Sequence, residues 1–279
     1  MNNPLKVAFG LITFNSDFVL KECIEAIYSY ASHILISEGC VQHFQEKGFT
    51  TSTDKTNEII DNFPDHDNKI KVWHGQYKEK TEQCNAYMPV DADYLWSLDS
   101  DEIFKPADID HVLRLLETDQ PTSVGFKSMT FYGGFDKIIG GFEARAEYRR
   151  IFKINKESKW ANHRPPQIDN IEDTKHISGQ SLSNQEIYMY HYSYVWDRQV
   201  KDKVEYYKAK ISKDNCIDDY YESIYKVWKY GDTMTRNIIE AKHRGVHEFK
   251  STYRGDAYTE IFIGEHPEII KPIINGKSI

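Results

Sequence analysis

The stretch DYLWSLDSDEIF, Asp93–Phe104, decides how the chain is read. Tyr94, Leu95, Trp96 and Leu98 suit a buried strand, and three carboxylates, Asp99, Asp101 and Glu102, follow at its end. Like charges packed this closely repel one another unless a cation or solvent sits among them. Residues i and i+2 of an extended segment point to one side, so Asp99 and Asp101 can face one ion while Ser100 and Glu102 face away. Open α/β sheets bind ligands at the carboxyl ends of their strands, which is where this pair falls. Hard oxygen ligands of this kind suit Mg²⁺ or Mn²⁺, which also take oxygens from a substrate diphosphate. The competing reading of an isolated Asp-x-Asp is a solvated acidic turn, or a cap for the helix that Pro106 opens.

Upstream, short apolar runs alternate with amphipathic stretches, the pattern of βα units around a mostly parallel sheet. KVAFGLITF reads as the first strand, and SDFVLKECIEAIYSYA as a helix capped by Ser16 or Asn15. HILISEG, KIKVW and DYLWSL read as further strands, with STDKTNEIIDNF and EQCNAYMPV as the helices between them. Downstream, PADIDHVLRLLETD is helical, the segment from Ser123 to about Ile154 turns to β, and EIYMYHYSYVW alternates as one more strand. From Asp197 to about His243 the chain is charged and helical. The expected class is therefore α/β with a C-terminal helical extension.

Composition narrows the function. The 279 residues carry 35 basic and 43 acidic side chains, a formal charge of -8 that disfavours broad attachment to nucleic acid or an anionic membrane. The 38 aromatic rings, from 19 Tyr, 14 Phe and 5 Trp, fit a Tyr-rich core or a stacking platform for sugars and bases. Cys23, Cys40, Cys84 and Cys216 show no metal-site spacing and read as reduced thiols. No apolar run reaches the length of a membrane span, so the expectation is a soluble, cytoplasmic protein.

The ordered set VAFGLITFN, HILISEG, STDKT, KTEQCN and YLWSLDSDE resembles the nucleotide-binding half of family 2 glycosyltransferases, over roughly residues 5 to 105. The resemblance implies a GT-A fold: a Rossmann-like, mostly parallel central sheet with helices on both faces. It implies a catalytic domain over 1–195, with a nucleotide-binding half of about 5–105 and an acceptor half of about 106–195. Residues 196–279 would be the helical extension.

It also implies a site. Thr13, Phe14 and Asn15 would receive the base and ribose of a sugar nucleotide, and Glu38 and Asp54 match acids that the family places after its second strand. Asp99 and Asp101, with Ser100 between them, match its metal-binding motif. Lys80 and Gln83 fall in its basic region, where Cys84 stands in place of a common Arg. Asn15 and Asp54 also read as a helix cap and a helix N-terminal acid, and Glu38 before Gly39 as a turn residue. His191 is the candidate third metal ligand, with His163 in WANHRPP its rival; either His also reads as a structural residue.

Sugar transfer from such a donor, with a UDP-sugar favoured and a GDP-sugar as the alternative, needs Mn²⁺ or Mg²⁺ to offset charge on the leaving diphosphate. Inversion needs a base, for which Asp169, Glu172, Asp173 and Glu143 are candidates of equal standing. Arg149 and Arg150 are expected to pair with acids. The acceptor is open: a glycan, a lipid-linked glycan, a protein or a modified base. Two other classes compete. A nucleotidyltransferase would carry a Gly-rich basic loop after the first strand, which GLITFNSDF lacks; a glycan-binding scaffold on the same fold would have no turnover.

Overall fold

A computed structural model describes residues 4–169, 171–210, 219–243 and 258–276. Cys216 lies outside them. By its internal contacts the chain separates into two compact units, residues 1–126 with 147–188, and residues 127–146 with 189–279. The second unit thus takes in part of the stretch read as the acceptor half.

The first unit is built on a seven-stranded sheet. Its strands, numbered in chain order through both units, are β1 (Val7–Thr13), β2 (His33–Val41), β3 (Ile70–Tyr77), β4 (Tyr94–Asp99), β6 (Ser123–Phe126), β9 (Tyr148–Lys153) and β12 (His176–Ile177). Their order across the sheet is β12-β6-β9-β4-β1-β2-β3. Only β9 runs against the rest, so the sheet is mostly parallel, as expected. β1 is buried along its whole length and β4 through Leu98, the continuous apolar burial of a parallel sheet covered on both faces. The unit also holds the two-residue β5 (Glu102–Ile103) and a hairpin of β10 (Trp160–Asn162) and β11 (Gln167–Ile168).

Alternation along β1 and β4 sends side chains to two cores. Ala8, Ile12, Leu35, Leu95 and Phe152 pack with Cys84 and Trp160. On the other face Phe9 stacks on Trp96 at 5.1 Å between centroids, and Trp96 meets Phe104 at 5.0 Å and Phe126 at 5.6 Å. Helix α1 (Leu20–Tyr28) buries Leu20, Cys23, Ile24 and Ile27, and begins later than expected. Neither Ser16 nor Asn15 caps it, because Asn15 Oδ1 accepts a hydrogen bond from Thr53 N at 2.8 Å and the Ser16 hydroxyl turns back to Phe14 O. Helices α2 (Gln42–Gln45), α3 (Thr56–Asp61) and α4 (Lys80–Asn85) are short. Helix α5 (Pro106–Thr118) has Pro at its start, where a missing N–H costs nothing, and buries Ile109, Val112 and Leu116 along one stripe.

In the second unit β7 (Ser128–Tyr132), β8 (Lys137–Ile139), β13 (Met189–Tyr194) and β14 (Thr259–Ile261) are ordered β14-β8-β7-β13, with the short helix α6 (Phe142–Arg145) between β8 and β9 in the chain. Tyr132, Tyr220, Ile224, Tyr225 and Trp228 form its core, with a 3.0 Å bond between the hydroxyls of Tyr132 and Tyr220. The largest fully buried side chains, such as Trp96, Trp228 and Tyr132, are all aromatic, so part of the ring load is core. Among the described residues no helix is long and apolar enough to cross a membrane.

Candidate active site

Parallel pairing brings the carboxyl ends of β1, β2 and β4 together: Thr13 lies beside Glu38, and Ile12 beside Asp99. The charged end of β4 is thus delivered to the edge where a ligand can sit. The strand stops at Asp99; Ser100 and Asp101 form a turn, and β5 starts at Glu102. That turn overturns the expectation for Glu102. Instead of facing away toward solvent it is fully buried and returns to Asp99, whose backbone N donates to Glu102 Oε2 at 3.1 Å.

The partner that makes this burial tolerable is Arg150, whose side chain is 8% exposed. Its Nε donates to Glu102 Oε2 at 2.8 Å, and its Nη2 to Glu102 Oε1 and, at 3.2 Å, to Asp99 Oδ2. Between β6 and β9 the register passes from Val124↔Ile151 to Gly125↔Arg149, which leaves Arg150 opposite no residue. A β-bulge of this kind re-aims a side chain, here onto the end of β4. The repulsion posed by the acids is met first by a buried guanidinium.

Further cations gather around Asp99. Arg164 Nη2 stands 4.0 Å from Asp99 Oδ2. Burial works to raise the Asp99 pKa, but Arg150, Lys80 and Arg164 outweigh it and hold the carboxyl well below the usual carboxylate range. Asp99 Oδ2 is therefore occupied, while Oδ1 carries no hydrogen bond among the described residues and is not sealed from solvent. An open carboxylate oxygen, held through its twin, fits a hard divalent cation, while Asp101 lies in the turn, where the extended spacing that would aim it beside Asp99 does not hold.

Lys80 opens α4, and Gln83 on the same helix is buried. Gln83 Nε2 donates to Thr13 O, Ser37 O and Gly39 O at 3.2, 2.9 and 3.2 Å, so it staples the ends of β1 and β2. The Cys84 thiol is buried 3.6 Å from His163 Nδ1, and burial pushes its pKa up to about 12. Burial, with Lys80 nearby, lowers the His163 pKa to about 3, so the imidazole is neutral at physiological pH.

The residues expected to receive the nucleoside divide. Thr13 Oγ1 is buried with no hydrogen-bond partner among the described residues. The Phe14 ring lies 4.8 Å from Phe44 and 5.8 Å from Phe49. Asn15 sits at φ 49° and ties the loop through Thr53 N and Ser52 Oγ. Glu38 is fully buried and accepts from Ser52 N at 2.8 Å, from the Thr51 hydroxyl and from His74 Nδ1 at 3.1 Å. Asp54 accepts from Thr56 N at 2.9 Å and Asp17 N at 3.2 Å. Glu38, Asp54 and Gln83 thus brace the wall at this edge of the sheet, largely through backbone groups. Gly39 belongs to the same wall: at φ +145°, a Cβ there would come within 1.8 Å of Gly75 O.

Two of the base candidates lie elsewhere. Asp169 and Asp173 line a cavity of about 250 Å³ with Thr122, Ser123, Arg149 and Lys153. Its lining runs along β9 from Lys153, level with Tyr94 at the start of β4, to Arg149, the neighbour of Arg150. Asp173 also accepts from Thr122 and Ser123 and pairs with Arg149. Glu172 is exposed, four residues before the start of β12 at His176. In the second unit Glu143 is buried and accepts from the Thr130 hydroxyl at 3.1 Å, and His191 is level with Thr130 across β7 and β13. The assignment of His191 as a ligand stays an expectation from the resemblance.

Arg150 and Glu102 are the pair sequence reasoning missed as a unit. The arginine was expected to find an acid, but no local signal names a partner 48 residues away.

A model of the family "Glycosyl transferase family 2" matches residues 50–175. Among solved structures, Staphylococcus aureus (S. aureus) TarS 1-349 is 11% identical, with 86% of this chain and 74% of that chain covered and a TM-score of 0.42. TarS 1-349 in complex with UDP is 14% identical, covering 47% of this chain and 38% of that one at a TM-score of 0.37. The complex with UDP-GlcNAc is also 14% identical, at 47%, 36% and 0.35. In these two complexes the chain spans little more than a third of the structure it matches, and likeness at this level supports no argument about substrate. No curated protein matches the chain. The resemblance to family 2 glycosyltransferases is borne out, carried by residues 50–175.

Proposed function

We propose that the chain is a metal-dependent, inverting glycosyltransferase that moves a sugar from a nucleoside-diphosphate sugar to an acceptor hydroxyl. The observation that carries this reading is the end of β4: Asp99, with one oxygen held and one open, beside Lys80 and Arg164 at the carboxyl edge of a parallel sheet. It lies within the segment matched by the family.

In this reading Asp99 and Asp101 hold Mn²⁺ or Mg²⁺, which offsets the charge that gathers on the leaving diphosphate. Lys80 and Arg164 add fixed positive charge on the same side, favouring departure of an anion. Thr13 offers its buried hydroxyl to the nucleoside, and the bonds of Glu38, Asp54 and Gln83 to backbone keep that wall in shape. A base takes the acceptor's proton. Asp173 is already held by Arg149, Thr122 and Ser123, which speaks against it as that base. A UDP-sugar is the favoured donor and a GDP-sugar the alternative.

Incubation with a panel of UDP- and GDP-sugars, with and without Mn²⁺, tests the reading. Release of nucleoside diphosphate that needs the metal supports sugar transfer. Pyrophosphate release would point to nucleotidyl transfer instead, and glycan binding without metal-dependent nucleotide binding would point to a scaffold.

A further inference from the structure

Arg150, Glu102 and Asp99 close a ring of hydrogen bonds. Asp99 N donates to Glu102 Oε2, Arg150 Nε donates to the same oxygen, and Arg150 Nη2 bridges Glu102 Oε1 and Asp99 Oδ2. The Cys23 thiol adds a contact to Glu102 O at 3.3 Å, under the ring. Every member except Asp99 is nine-tenths or more buried, and Asp99 keeps one oxygen open. The guanidinium comes from a bulge that leaves it no strand partner, so its direction is fixed by these acids.

We infer that Arg150 is a positioning residue for the metal site: by pinning Asp99 Oδ2 it fixes the direction of Oδ1, so that the carboxylate is set for a divalent cation before the cation arrives. Two physical points carry this. A free aspartate rotates about χ2 and must lose that freedom on binding, whereas a carboxylate already held by a fork of N–H donors has lost it on folding. Arg150 also cancels the charge of Glu102, so the acids do not need the metal in order to fold together. A guanidinium that only competed with the metal would cover both oxygens of Asp99 or leave Glu102 without a partner, and it does neither.

This inference rests on the metal-dependent reading above, and the experiment separates the two. Mn²⁺ binding is measured by electron paramagnetic resonance of the free ion, in the presence of UDP, for the wild type, Arg150→Lys and the double variant Glu102→Gln/Arg150→Gln. Melting temperatures are taken alongside. Lysine keeps the buried charge but lacks the fork, and the double variant keeps a neutral pair, so both retain the fold. The expected result is a Mn²⁺ affinity lower by 10- to 100-fold in both variants, although Arg150→Lys recovers most of the melting temperature lost in Arg150→Met. A merely structural arginine would give affinity and melting temperature that move together, and unchanged or tighter Mn²⁺ binding in folded variants overturns the inference. Failure of the wild type to bind Mn²⁺ overturns the metal reading and the inference with it.

Discussion

Arg149 and Arg150 are neighbours on one strand, each paired with acids, and they differ in almost every physical respect. Arg149 is 42% exposed and pairs with Asp173, itself 33% exposed, at the edge of a cavity. Arg150 is 8% exposed and pairs with Glu102, which is fully buried, and with Asp99. Exposed pairs contribute about 0 to 1 kcal/mol because water already solvates both charges. A buried pair gains little over an apolar one, but losing one partner strands the other charge in the core at a cost of about 3–5 kcal/mol. The same residue type therefore serves as a surface clasp at 149 and as the organising charge of the site at 150, and the bulge between them makes the difference.

The largest effect should come from breaking the buried member. Arg150→Met leaves Glu102 charged and without its guanidinium, and urea denaturation should show a loss of about 3–5 kcal/mol. A loss below about 1 kcal/mol would place Arg150 in the same class as Arg149. Next comes chemistry: Asp99→Ala and Asp101→Ala should each lower kcat for metal-dependent donor turnover by about 10²–10³-fold with the fold retained, as read by circular dichroism. The clasp should give far less. Arg149→Ala should cost at most about 1 kcal/mol and leave donor turnover within about twofold of wild type, as checked by the same denaturation and turnover assays. Turnover that fell as steeply as in Asp99→Ala would mean that the clasp and the end of β4 share one function.

The smallest effect is in acid. Burial raises the Asp173 pKa, but its bonds from Thr122 and Ser123 and the charge of Arg149 outweigh this and bring it below the ordinary value. A depressed carboxyl stabilises the fold above its unfolded pKa, near 4, and that contribution is lost as pH falls through the folded value. Asp173→Asn should therefore lower the melting temperature slightly at neutral pH, with the difference from wild type shrinking between about pH 5 and pH 2.5. A difference that stayed constant or grew as the pH fell through that range would contradict the assignment of Asp173 to the clasp.

Much of this was legible in the sequence, for identifiable reasons. The apolar run of β4 and the acids behind it mark a parallel strand and its charged carboxyl end, and β1 is equally plain. Pro106 announces α5 because its missing N–H suits a helix start. Arg149 and Arg150 were expected to pair with acids, and they do. Which acids they choose depends on strand order and on a one-residue bulge, and neither leaves a local trace. Glu102 was misjudged for a related reason: strict alternation holds only while the chain stays extended, and the turn at Ser100 and Asp101 resets it. Asn15 and Asp54 show the limit of cap signals, since bonds to Thr53, Thr56 and Asp17 hold a loop together rather than simply starting a helix.

The central claim is that β4 delivers Asp99 and Asp101 to a metal and the diphosphate of a sugar nucleotide. Calorimetric titration of UDP into the wild type and Asp99→Asn, each with and without Mn²⁺, tests it most directly. The account predicts UDP binding that Mn²⁺ strengthens in the wild type by tenfold or more, about 1.4 kcal/mol, and that it does not strengthen in Asp99→Asn. Equal metal dependence in the two proteins, or none in the wild type with UDP and with GDP alike, would contradict it.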